Sequence, residues 1–167
     1  MQLKEAKARF INTWGQQGVS WGICRTMAQV HALLLISCRP LCADQIMEEL
    51  NISRGNANMN IRALMDWGLI YKVPKEGPDR KEYFAAEKQM TVVFKQIVKQ
   101  RKKRELDPII DLLDECEDLK SSCPESQEFS KMVSDLKSFS QKADMALDNL
   151  IKLDSHWLSG TLLRMIK

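Results

Sequence analysis

The chain has 167 residues, enough for one domain of ordinary size or a small domain with a helical extension. Its 25 Lys/Arg against 22 Asp/Glu leave a net charge of only +3, unevenly spread: residues 1–88 hold 12 against 9 (+3), residues 89–105 hold 6 against 1 (+5), and residues 106–167 hold 7 against 12 (−5). No apolar run approaches the roughly eighteen residues of a membrane span and the start is charged at helical spacing, so neither a span nor a signal peptide is expected and the protein should be cytoplasmic.

Residues 2–14 are expected to form an amphipathic helix with Leu3, Ala6, Phe10 and Trp14 on one stripe. Gly15 and Gly18 are expected to end it, and Ser20 to cap a second helix from Trp21 through Ile36 whose Ile23, Met27, Val30 and Leu34 turn inward. Pro40 disfavours helical geometry at Arg39 and breaks that helix.

The stretch Leu41 to Tyr71 reads as two short helices meeting at a tight turn. Ile46, Met47 and Leu50 form the stripe of the first, which stops at Asn51, a residue that tolerates the left-handed conformation. Ser53 can cap the second, whose Ala57, Ile61, Leu64 and Met65 face inward. At about 100° per residue, Gly55, Met59, Arg62 and Asp66 centre on the opposite side, flanked by Arg54, Asn56, Asn58, Asn60 and Ala63. Long-reach guanidinium and amide groups at the start of a second hairpin helix suit major-groove reading, since Arg pairs with guanine and Asn with adenine. An αα-hairpin with a solvated Asn-rich face is the plainer alternative.

After Gly68 the period changes from helical to extended. Leu69 to Val73 and Lys81 to Ala85 are β-branched and aromatic runs separated by a Pro- and Gly-containing turn, hence a β-hairpin. Its basic tip, Lys75, Arg80 and Lys81, would lie on the DNA backbone or in the minor groove. The element order is that of a winged helix.

The run ISRGNANMNIRALMDWGLIYKV followed by EGPDRKEYF resembles the winged helix-turn-helix of the MarR superfamily, and more closely its GbsR-type branch, over about residues 10–110. The resemblance implies a DNA-reading helix carrying Ser53, Arg54, Gly55, Asn56, Asn58, Met59, Asn60 and Arg62, with Arg80 and Lys81 in the wing. It also implies a homodimer joined through terminal helices and a small osmolyte-like effector. The sequence departs from the pattern at Cys42, which stands where a Thr or Ser would cap the first hairpin helix, with Gln45 three residues on; a thiol accepts weakly.

Met90 to Arg104 is a further helical segment with Met90, Val93, Phe94, Ile97 and Val98 inward and a block Arg101–Arg104 that is either a solvated face or a phosphate contact. Asp107-Pro108 starts or kinks another helix. In the last segment Phe129, Leu136, Ala143, Leu150 and Trp157 recur every seven residues, as do Met132, Phe139, Ala146 and Leu153, an a/d seam that needs a partner helix from this chain or a second copy.

Catalysis finds little support: there are two histidines, His31 and His156, and no phosphate loop or nucleophile motif. Cys24, His31 and Cys38 share a face, but seven residues of helix rise about 10.5 Å, too far for one ion to reach two of them. The five cysteines, odd in number and irregular in spacing, suit reduced thiols, and a redox switch at Cys38/Cys42 or Cys116/Cys123 is weighed against small buried hydrophobes. A quaternary ammonium effector would need aromatic faces, for which Trp14, Trp21, Trp67, Tyr71 and Trp157 are the candidates.

The expected architecture is therefore mainly α with a small two-stranded β-wing: residues 1–20 an N-terminal helix of the dimerisation region, 21–88 the winged helix-turn-helix, and 89–167 a helical dimerisation and effector region. The expected function is sequence-specific transcriptional regulation, acting as a repressor homodimer on double-stranded palindromic DNA, with no metal, cofactor or membrane. Phe129, Leu136, Phe139, Leu150, Leu153 and Trp157 would form the dimer seam. A protein-interaction module on a winged-helix scaffold, or a thiol-based redox-sensing regulator, is the alternative.

Overall fold

A computed structural model describes residues 1–74, 80–116 and 123–153. Their contacts group into two units, residues 1–93 and 94–167. The first contains helices α1 (Leu3–Ser20), α2 (Arg25–Ile36), α3 (Ala43–Leu50) and α4 (Arg54–Asp66) with strands β1 (Leu41–Cys42), β2 (Ile70–Val73) and β3 (Tyr83–Ala86). Helix α5 (Met90–Arg101) leads into the second, which holds α6 (Asp107–Cys116) and α7 (Pro124–Lys152). Among the described residues no helix is long and apolar enough to cross a membrane.

The first unit is a winged helix-turn-helix. Val30, Leu34, Ile46 and Leu64, one or two from each of α2, α3 and α4, are its most completely buried large side chains, so the core is where these three helices meet. Helix α1 departs from expectation. It runs straight through Gly15 and Gly18, which are buried against α2 rather than ending the helix. A β-carbon on Gly18 would stand 2.5 Å from the Ala28 Cβ, and one on Gly15 would stand 2.7 Å from the Gln29 Cγ. The two glycines therefore let the helices approach closely, a gain that outweighs the roughly 1 kcal/mol that glycine costs a helix. The second helix accordingly starts later than expected, at Arg25, and Gly22 (φ 73°) rather than a Ser20 cap makes the turn before it.

The sheet has three strands rather than the two expected, in the order β1-β3-β2, all antiparallel. Residues Leu41 and Cys42 pair with Phe84 and Tyr83, while Ile70 to Val73 pair with Ala86 to Tyr83. Pro40 forces the chain out of α2 into an extended path, and two extended residues suffice for a short edge strand. That strand carries no periodic signal of its own.

In the second unit, α5 does not stop before Pro108. One π-type turn, Lys102–Leu106, carries the chain from α5 into α6 just ahead of Pro108, whose missing N–H removes one helical hydrogen bond. Lys102, within the basic block, is turned toward α7, where its ammonium lies 2.7 Å from Asp144, 3.4 Å from Asp148 and 3.5 Å from Asp107. The hydrogen bond to Asp144 leads in holding its pKa above the usual lysine value. Lys102 thus serves neither as a solvated face nor as a phosphate contact. Met90 and Phe94, expected inward, are exposed, whereas Val93 is buried.

Candidate nucleic-acid interface

The hairpin of α3 and α4 is set by local chemistry. Asn51 adopts the left-handed conformation (φ 51°, ψ 52°) that ends α3, and the Asn56 backbone N–H donates to Ser53 Oγ at 3.3 Å, which caps α4. At the far end Gly68 (φ 69°) makes the turn, with its N–H donated to Met65 O at 2.9 Å and the Leu69 N–H to Leu64 O at 3.0 Å. A helix closed at both ends in this way presents its outer side chains at fixed angles. The start of α3 is closed by Gln45 Oε1, which accepts from the Cys42 N–H at 3.0 Å. Cys42 itself is buried.

Ala57, Ile61 and Leu64 are buried, and Ser53, Arg54, Gly55, Asn58, Met59 and Arg62 are exposed, with Asn56 half-buried. Met59, apolar and central, is 61% exposed. Asn60 differs from expectation. It is only 2% exposed and donates from Nδ2 to Asn56 O (2.8 Å) and Asn56 Oδ1 (2.6 Å), so it faces the interior rather than a partner. At about 100° per residue Asn60 lies roughly 40° to one side of Leu64, at the border of the arc spanned by Ala57, Ile61 and Leu64, so spacing alone did not decide its side.

The wing contributes Arg80 and Lys81, both exposed; Lys75 lies outside the described residues. One residue that the sequence gave no reason to single out joins wing to helix. Asp44, in the first turn of α3, pairs with Arg54 at 2.9 Å and with Lys81 at 2.9 Å, so one carboxylate aligns a cation from α4 with one from the wing, just before β3. The partners are ten and thirty-seven positions away in sequence, which no periodicity reports. All three side chains are well exposed, so each pair contributes at most about 1 kcal/mol and aligns more than it stabilises.

Of the aromatic candidates, the structure brings Trp14 and Trp21 together edge to face at 6.3 Å, with Phe10 stacked on Trp14 at 5.5 Å. Trp67 stands instead at the C-cap of α4 and Tyr71 on β2, while Trp157 lies outside the described residues. His31 sits behind the pair, its ring 6.4 Å from that of Trp14, 4% exposed, its Nε2 without a hydrogen-bond partner among the described residues. Burial pushes its pKa down from 6.5 to about 4, so it is a neutral core residue. Among the described residues no three His, Cys, Asp or Glu side chains gather to hold a metal ion. Of the thiols, Cys24, Cys38 and Cys123 are exposed and Cys42 is buried, so the reading as small buried hydrophobes fits Cys42 and not those three.

In the second unit, Phe129, Met132, Leu136 and Phe139 of the expected seam are exposed along α7, and Leu150 and Leu153 are half-buried. The stripe that α7 buries within the unit is instead Ser126, Val133 and Ser140.

A search of the curated proteins finds no match. Among solved structures, one described as the crystal structure of a transcriptional regulator superposes with a TM-score of 0.67 at 17% identity, covering 87% of this chain and 95% of that one. Residues 28–72, from the first half of α2 to β2, match the family model for the bacterial regulatory protein, arsR family. The structural likeness and the matched segment agree on a winged helix-turn-helix, with α4 as its second hairpin helix.

Proposed function

We propose that this chain is a DNA-binding transcriptional regulator that inserts α4 into the major groove and lays the β2–β3 wing along the adjacent backbone. The observation that carries this is the division of α4: Ala57, Ile61 and Leu64 are buried, while Arg54, Asn58, Met59 and Arg62 stand out on a helix fixed at both ends. Guanidinium, amide and thioether groups presented together match the edges of base pairs in donor, acceptor and methyl character. The match to an arsR-family regulatory model over residues 28–72 supports the same reading.

The regulator acts as a cytoplasmic homodimer joined through the α7 seam and reads a palindromic operator as a repressor. Support for the dimer is the exposure of Phe129, Leu136 and Phe139, which a lone chain would leave in water. Its effector is a small osmolyte-like cation, for which the adjoining rings of Trp14 and Trp21, set edge to face, offer the aromatic surface. The same seam would also serve a protein-interaction module with no DNA function. Titration with random-sequence duplexes at rising salt separates the two, because neutralised phosphates make affinity fall linearly with salt on logarithmic axes. Selection of bound duplexes should then recover a palindrome. A chain that ignores duplex DNA at low salt refutes the proposal.

A further inference from the structure

We infer that buried Asn60 sets which edge of the Asn56 carboxamide faces the DNA, biasing Asn56 toward donating and so against adenine; this rests on the DNA-binding reading above. Asn60 Nδ2 faces two atoms of Asn56, the main-chain carbonyl oxygen at 2.8 Å and the side-chain oxygen at 2.6 Å. A main-chain carbonyl only accepts, so the Asn60 atom beside it is the amide nitrogen. The atom of Asn56 that meets the same nitrogen is therefore its oxygen. Both carboxamides are fixed by this one carbonyl, and Asn56 is held at a second point by its backbone N–H on Ser53 Oγ.

With Oδ1 turned toward the buried Asn60 and one of its two lone pairs taken, the freer edge of Asn56 is its NH2 group, two donors. An asparagine free to turn pairs with adenine by donating to N7 and accepting from N6. A donating edge meets the adenine amino group donor against donor. Guanine, with O6 and N7 both accepting, and thymine, with O4, suit it instead. Asn60 is thus a positioning residue: it touches no base and acts through Asn56.

The test is selection of bound duplexes from a random library by the wild-type chain, Asn56→Ala and Asn60→Leu, with melting curves for each. Asn56→Ala marks the base pair that Asn56 reads, as the one position where preference relaxes. At that position the wild type should take guanine or thymine, and Asn60→Leu, which frees the Asn56 oxygen while keeping the site apolar and filled, should raise the relative affinity for adenine by about tenfold. All other positions should be unmoved, which a general loosening of α4 would not give. Adenine at that position in the wild-type selection overturns the inference even if Asn60→Leu does not fold, and so does a folded Asn60→Leu with an unchanged profile. If the wild type enriches no sequence at all, the DNA-binding reading itself fails and the inference goes with it.

Discussion

Gly55 offers a substitution whose effects on fold and on binding should have opposite signs. It is the second residue of α4, exposed, and a β-carbon built there meets no atom within 4 Å. Alanine is therefore free of any clash in the isolated chain, and relief of glycine's conformational entropy should stabilise the helix by about 0.5–1 kcal/mol. For a chain of this length that raises the melting temperature by roughly 1–4 °C. If α4 lies in the groove, the same methyl points at the DNA next to Arg54 and Asn56, where the backbone comes closest. Overfilling a packed contact costs about 1–3 kcal/mol, so Gly55→Ala should weaken duplex binding by roughly 5- to 150-fold. Thermal melting and fluorescence anisotropy on a selected duplex read the two effects separately. A variant that melts higher and binds DNA as well as the parent would refute the placement of this face in the groove.

The glycines of α1 make a contrasting pair. Gly18→Ala brings its methyl against the immovable Ala28 Cβ and should destabilise by about 1–2 kcal/mol after the helix-propensity gain, whereas Gly15→Ala displaces the flexible Gln29 and Arg25 side chains and should be near neutral; equal melting temperatures would refute close helix approach at Gly18. Because the folded His31 pKa of about 4 lies below its ordinary 6.5, the unfolded chain binds the extra proton between those values, so stability should be complete above pH 6.5 and fall as pH drops toward 4. At roughly 1.4 kcal/mol per pH unit the loss totals about 3 kcal/mol, and His31→Leu should remove that part of the slope in denaturant titrations at pH 7 and pH 4.5. Phe139→Glu, on a side chain 71% exposed, should leave the circular dichroism unchanged while light scattering shows monomers in place of dimers; a dimer of unchanged strength would remove α7 from the interface.

What the sequence revealed follows from the range of the interaction concerned. The αL turn at Asn51, the Ser53 cap and the strands of the wing rest on neighbours within four residues or on a simple period, and all were legible. Glycine is ambiguous by nature: Gly15 and Gly18 read as a helix stop because the contact that makes them useful, Ala28 and Gln29 across the helix pair, appears only once the pair is assembled. The edge strand β1 was hidden for a similar reason, since its two residues become a strand only by pairing with Tyr83 and Phe84 some forty positions on. Asn60 was a different kind of miss. Its spacing put it at the border of the buried face, and its polar chemistry argued for outside; the hydrogen bonds to Asn56 satisfy the amide where burial requires it.

Helix α7 shows where periodicity stops being informative. Two stripes of period seven run along it, and the one buried within the unit is the more polar, carrying Ser126, Val133 and Ser140. That stripe is held against its own unit by ion pairs as much as by apolar contact: Lys137 lies 2.9 Å from Asp114 on α6, and Lys102 reaches Asp144 and Asp148. The stripe with Phe129, Met132, Leu136 and Phe139 stays exposed. Each such side chain is worth about 1.5–3 kcal/mol when fully buried, so four of them half-covered still forgo several kcal/mol in water. A helix that spends polar chemistry on its own chain and keeps its most apolar face outward is built for a second surface. In the proposed homodimer that surface is the same stripe on another copy.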